Sequence, residues 1–197
     1  MTKRLFVSVS LPTQWQDAFA DYCKQFPRND VRWTQKENIH ITACFLGDVE
    51  EGRIVEIREK LKQICEHTKP FSLSFDRIDF APPGMPPRMV WAVFQESGVY
   101  ARFLKKIQEV LREFLAVEPH KELIAHATLA RLNFARQNLG GRARFKDPSL
   151  ARSIDIAQAL PNLESFDVRS VELMESRLDP GGVRYEKIET FPLSAHA

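Results

Sequence analysis

Apolar residues recur along this chain with two different periods, and the switches between them lay out the elements. Residues 4–10, RLFVSVS, alternate and are rich in residues that suit a pleated surface, which predicts a strand. In LPTQWQDAFADYCKQF, residues 11–26, the period lengthens. Trp15, Phe19, Tyr22 and Phe26 fall three or four apart behind Pro12, predicting an amphipathic helix packed on that strand. Short strands are expected at 30–34 and 39–46, then a helix from Glu51 to His67 on Ile54, Ile57, Leu61, Ile64 and Cys65. Strands at 71–80 and 88–94 flank APPGMPP, whose prolines predict a stiff surface loop. A third helix over 99–115 sets Phe103, Ile107, Val110, Leu111 and Phe114 on one face, and KELIAHATLARLNF reads as a further strand. Residues 134–162 are polar and irregular, with a short helix expected near 148–160. The chain ends in DVRSVELMESRL and VRYEKIETFPL, two alternating runs around DPGG, which predicts a hairpin.

Strand–helix–strands–helix occurs roughly twice in this order. The expected fold is α+β and bilobal: two pseudo-symmetric, antiparallel-rich sheets with helices packed on the outside and a central cleft. At 197 residues the chain is expected to form a single two-lobed domain, residues 1–197, with a substantial core. A net charge of +2 is too small to imply a dedicated nucleic-acid coat, so any contact with nucleic acid must come from local clustering. The run 131–152 is such a cluster, with Arg131, Arg136, Arg142, Arg144, Lys146 and Arg152 against Asp147 alone. It fits a phosphate backbone or a solvated surface equally well. Cys23, Cys44 and Cys65 form no CxxC pair and are odd in number, which favours a reducing cytoplasm. MTKRLFVSVSLP is too short and too interrupted in its apolar part for a signal peptide. No apolar run approaches the length of a membrane span.

Chemistry enters with the histidines. A lone strand histidine is ordinarily a core or edge residue satisfied by a backbone carbonyl. His40 in HITACF and His126 in HATLAR are both followed two residues later by threonine, Thr42 and Thr128, and both lie in predicted strands. Residues i and i+2 of a strand share a face, so each motif offers an imidazole and a hydroxyl to the same side. Two opposed imidazoles suit in-line displacement at phosphorus, one taking a proton from the nucleophile and the other giving one to the leaving oxygen. The hydroxyls can donate to non-bridging oxygens. A zinc site wants a third protein ligand, and none recurs at fixed spacing near both motifs. Cys44 does share strand parity with His40, which keeps a Cys/His site open. No GxSxG elbow marks a serine triad. His67, His120 and His196 lack a motif partner and are expected at the surface.

The paired motifs resemble the two His-x-Thr signatures of the two-histidine phosphoesterase superfamily. RLFVSVSLP, VRWTQKENIHITACFLGDV, RMVWAVF and VELMESRLDPGGVRYEKIETFPL narrow the resemblance to its RNA 2',3'-cyclic phosphodiesterases, the LigT-like or 2'-5' RNA ligase-type proteins. It runs from Arg4 to Leu193 and is weakest over 132–165. It implies a cytoplasmic enzyme needing neither metal nor other cofactor, a monomer with no obligate protein partner. RNA ends or cyclic nucleotides are the implied substrates, and hydrolysis leaves a 2'-phosphate. His40 and His126 then match the catalytic pair, with His126 assigned as base and His40 as acid, although near-symmetric motifs do not themselves decide this. Thr42 and Thr128 match the phosphate-binding hydroxyls, Arg131 an arginine near phosphate or base, and Phe45 a base-stacking position.

Phe45 and Arg131 each stand five residues after their histidine, the wrong parity for a flat strand. They reach the cleft only if the strand bends or ends, as Gly47 would permit in the first copy. Two departures from the family pattern stand out. Ala43–Cys44 replaces a leucine and a basic residue, where substrate contacts are expected to differ, and Ala125 replaces a proline. An RNA-end binding module without turnover, or 2'-5' ligation by the reverse chemistry, are the alternative readings.

Overall fold

The computed structural model describes residues 1–27, 31–116, 124–132, 160, 163–179 and 182–194. The helix expected near 148–160, most of the basic run 131–152, His120, His196 and part of the DPGG turn lie outside them.

Among the described residues the strands are β1 (Thr2–Ser10), β2 (Val31–Trp33), β3 (His40–Glu50), β4 (Phe71–Ala81), β5 (Met89–Phe94), β6 (His126–Leu132), β7 (Ser165–Val168), β8 (Ser170–Asp179) and β9 (Gly182–Pro192). The helices are α1 (Thr13–Lys24), α2 (Ile54–Glu66) and α3 (Gly98–Val110). The strands run in the order β7-β4-β5-β6-β3-β1-β8-β9, with β2 pairing β6. Every pairing is antiparallel. The path divides at its middle: β3-β1-β8-β9 form one half and β6-β5-β4-β7 the other. The halves meet through a single residue pair, Ile41 with Ala127. The α+β expectation of two similar antiparallel halves therefore holds, with the refinement that one hydrogen-bonded seam joins them.

Helices brace the seam on the apolar side. α1 follows β1 of the first half yet packs on the second, where Trp15 lies 5.8 Å from Phe94 and 5.0 Å from Phe166. Phe19 of α1 is fully buried, worth on the order of 2–3 kcal/mol. α2 lies along the β8–β9 side, where Arg58 pairs with Glu189 and the Ser194 N–H donates to the Cys65 carbonyl at 3.1 Å. α3 starts at Ser97, whose hydroxyl accepts from the Tyr100 N–H at 3.2 Å, an N-cap of the usual chemistry. Phe103 of α3 packs 5.6 Å from Phe71. With the helices on one face, the histidine-bearing face of the sheet stays open. No helix among the described residues is long and apolar enough to cross a membrane.

Candidate active site

Both motifs begin strands at the seam. Ile41 and Ala127 are fully buried on the core face, so alternation turns His40, Thr42, His126 and Thr128 to the opposite, open face. Continuing the Ile41–Ala127 register sets His40 against Thr128 and Thr42 against His126. Directly opposed residues hold their Cβ atoms about 5 Å apart. The result is a quartet with alternating imidazoles and hydroxyls around one point.

The two imidazoles are oriented alike. His40 Nδ1 lies 2.8 Å from the Asn38 carbonyl and His126 Nδ1 lies 2.9 Å from the Ile124 carbonyl. A carbonyl only accepts, so each Nδ1 carries its proton and each neutral ring presents the lone pair of Nε2. In His40 that nitrogen takes the Thr42 hydroxyl at 3.0 Å.

Their surroundings differ. His40 sits between Phe6, at 5.0 Å, and the edge-on ring of Tyr185, at 5.2 Å. Burial holds its imidazole below the ordinary histidine range. The bond to the Asn38 carbonyl and the Glu172 carboxylate pull it partly back, and His126 pushes it further down. Glu172 is itself buried, accepts from the Ser10 hydroxyl and pairs with Lys187 at 2.6 Å. His126 lies flat on the Trp91 indole at 3.7 Å. Beyond Trp91 a cavity of about 650 Å³ opens between β4, β5 and the start of α3, with Arg77, Asp79, Val93, Ser97 and Lys105 in its wall.

Phe45 and Arg131 both reach the open face, by a device the sequence reading did not identify. Across β1 the register passes from Ser8–Thr42 to Val7–Cys44, leaving Ala43 as an extra residue. Across β5 it passes from Trp91–Thr128 to Val90–Ala130, leaving Leu129 extra. The Leu129 carbonyl is taken instead by the Thr34 N–H at 2.8 Å. Each bulge reverses side-chain parity, so Phe45 and Arg131 emerge exposed while the residues just before them stay inside.

Three expectations change with this. Gly47 does not make the turn that frees Phe45. Its φ of 72° and its approach to Ala116, where a Cβ would meet Ala116 Cβ at 2.8 Å, come after it. Cys44 moves to the core face, away from His40, which removes the parity argument for a Cys/His metal site. Its thiol, like those of Cys23 and Cys65, is free, buried and pushed up by burial to about 12. The Ala43–Cys44 step is buried rather than a substrate contact.

Phe6, Trp91, Glu172 and Tyr185 were not singled out from the sequence. The signal for Phe6 lay in RLFVSVS, where an aromatic shares one strand face with two serines. Nothing local marked Glu172 or Tyr185, which arrive through the β1–β8–β9 pairing.

Comparison with known proteins places the chain by family and fold. The family model for LigT like phosphoesterases matches residues 9–91. The RNA 2',3'-cyclic phosphodiesterase of Archaeoglobus fulgidus is 30% identical over 192 residues, covering 95% of this chain and 99% of that one. Its counterpart in Methanocaldococcus jannaschii is 27% identical, covering 94% and 98%. Among solved structures, a Thermus thermophilus protein superposes with a TM-score of 0.76 at 22% identity, covering 98% and 100%. Escherichia coli LigT, solved with 3'-AMP, gives 0.74 at 20%, covering 98% and 99%; both share the fold. The chain belongs to the LigT-like phosphoesterases, within the two-histidine superfamily.

Proposed function

We propose that this protein is an RNA 2',3'-cyclic phosphodiesterase that opens cyclic phosphate ends without a metal, leaving a 2'-phosphate and a 3'-hydroxyl. The observation that carries the reading is the single Ile41–Ala127 pairing, which puts both His-x-Thr pairs on one open face around one point. The names of the relatives support the same substrate class.

The phosphate sits over the quartet. Water attacks phosphorus opposite the 3' oxygen; the bond from water oxygen to phosphorus forms as the bond to O3' breaks. His126 takes the water proton on Nε2, and His40 gives its Nε2 proton to O3'. While His40 is neutral, the Thr42 hydroxyl is spent on its Nε2. Once the ring is charged its own N–H donates, and the Thr42 proton turns to a non-bridging oxygen, with Thr128 serving from the other strand. Burial lowers the His40 pKa, and the Glu172 charge counters part of that loss, supporting the protonated form that the acid role requires. Phe45 stacks on the terminal base and Arg131 meets anionic oxygen. The three buried thiols fit a reducing, cytoplasmic setting, and the protein acts as a monomer on RNA ends or cyclic nucleotides.

The test is turnover of a cyclic-phosphate-ended oligonucleotide in excess chelator, with product analysis by 2'- versus 3'-phosphate standards. Activity that survives chelation and disappears in both His40→Ala and His126→Ala is expected. Full activity in either variant, or loss on chelation alone, overturns the mechanism, and an unchanged cyclic phosphate identifies a binding module.

A further inference from the structure

Beyond Thr128 the open face carries a pair of arginines: Arg131, assigned above to an anionic oxygen of unspecified position, and Arg32, which the reaction at phosphorus leaves unexplained. Arg131 of β6 and Arg32 of β2 are direct cross-strand partners, and both are exposed. Alternation fixes Arg32 outward, because Val31 is buried and Trp33 packs against Tyr22 and Phe26. Like charges directly opposite one another destabilise a strand pair. Three other exposed arginines lie against carboxylates: Arg77 on Asp79 at 3.0 Å, Arg169 on Asp167 at 2.7 Å and Arg177 on Glu175 at 3.0 Å. Among the described residues neither Arg32 nor Arg131 has such a partner.

The position of Arg32 is also made room for. Gly182 opens β9 with a φ of 124°, and a Cβ there would stand 2.9 Å from Arg32 Nη2. The guanidinium thus reaches from β2 to the β8–β9 hairpin. Asn38 ties down the same hairpin by donating to the Val183 carbonyl at 3.1 Å, and its own carbonyl takes the His40 Nδ1 proton. Arg32 is therefore placed at the His40 end of the quartet.

We propose that Arg32 and Arg131 together clamp the phosphodiester joining the terminal nucleotide to the one before it, so that RNA ends are preferred over free cyclic nucleotides. This rests on the reading of the quartet as the cyclic-phosphate site. From Thr128 to Arg131 the strand advances two paired steps, on the order of 7 Å, a gap one nucleotide spans. An anion between the guanidiniums converts their repulsion into two charge-assisted contacts. Such contacts read the backbone and not the base, so the preference is for chain over monomer, without regard to sequence.

The experiment compares kcat/KM for a trinucleotide ending in a 2',3'-cyclic phosphate with that for a 2',3'-cyclic mononucleotide lacking a 5'-phosphate. Wild type is expected to favour the trinucleotide. In Arg32→Ala the trinucleotide-to-mononucleotide ratio is expected to fall about tenfold, mainly through KM, with partial recovery in Arg32→Lys. The slope of log kcat/KM against log salt for the trinucleotide is expected to become shallower by about 0.7. Equal loss on both substrates, or an unchanged ratio and salt slope, overturns the clamp while leaving the phosphodiesterase reading intact. Absence of turnover on both substrates in wild type overturns that reading, and the clamp with it.

Discussion

The strands that carry HITACF and HATLAR are built alike and furnished differently. In both, histidine and threonine are half-buried on the open face, the next two residues after threonine are buried, and the sixth is exposed. Both histidines give Nδ1–H to the carbonyl two residues back, and both strands bulge immediately after the threonine. The surroundings then part company. His40 has two rings and a buried carboxylate near it, whereas His126 lies flat on the Trp91 indole. At the sixth position one copy ends in phenylalanine and the other in arginine. The backbone device is repeated, while the side chains around it divide the work.

The largest test of that division is to remove each imidazole in turn. His40→Ala and His126→Ala are each expected to lower kcat by about 10²–10⁴-fold. Wild type should show a bell-shaped kcat/KM profile, with His126→Ala losing the acidic limb and His40→Ala the alkaline one. Loss of the same limb in both variants would make the two halves interchangeable and break the comparison. The threonines come next. Thr42→Val and Thr128→Val are each expected to cost about 10²–10³-fold in kcat, the scale of a lost donor to developing charge. Thr42→Val also strips a hydrogen bond from His40, so it should move a limb of the pH profile. Phe45→Ala separates the sixth positions. Its ring is 55% exposed, so thermal stability should hardly change, while KM for an oligonucleotide end should rise about tenfold, as for a lost stacking contact.

Elements were legible wherever side-chain period alone decides them. Trp15, Phe19 and Tyr22 announced α1, and the alternation on either side of DPGG announced β8 and β9. The pairing of motifs was legible too, because two residues apart in a strand means one face whatever the partner. Ala43 and Leu129 mark where sequence stopped being enough. Nothing in HITACF says that alanine will be squeezed out of the β1 register, since the bulge arises from how β3 must pair with β1 while meeting β6. Parity counting on a flat strand therefore put Cys44 beside His40 and Phe45 away from it, the reverse of the structure. Glu172 was silent for a related reason. A carboxylate in an alternating hairpin reads as solvated, and only the β1–β8 pairing opposite Ser8 brings it under the site.

Glu172 also gives the finest test of which half holds the proton. Glu172 is 7% exposed, its carboxylate accepts from Ser10 and faces Lys187 at 2.6 Å, and its charge raises the pKa that burial of His40 lowers. Glu172→Gln keeps the shape and the acceptor but removes the charge, so the His40 pKa must fall further. If His40 is the acid, its charged form is the active one, and the alkaline limb of kcat/KM moves to lower pH while the acidic limb stays. If His40 is the base, the acidic limb moves down instead. Lys187→Met works in the opposite sense, since a carboxylate without its ammonium partner favours the imidazolium more strongly and carries the same limb upward. Limbs that stay put in both variants would reduce Glu172 to a tie between β1 and β9. They would leave the contrast between the two histidines to the rings alone.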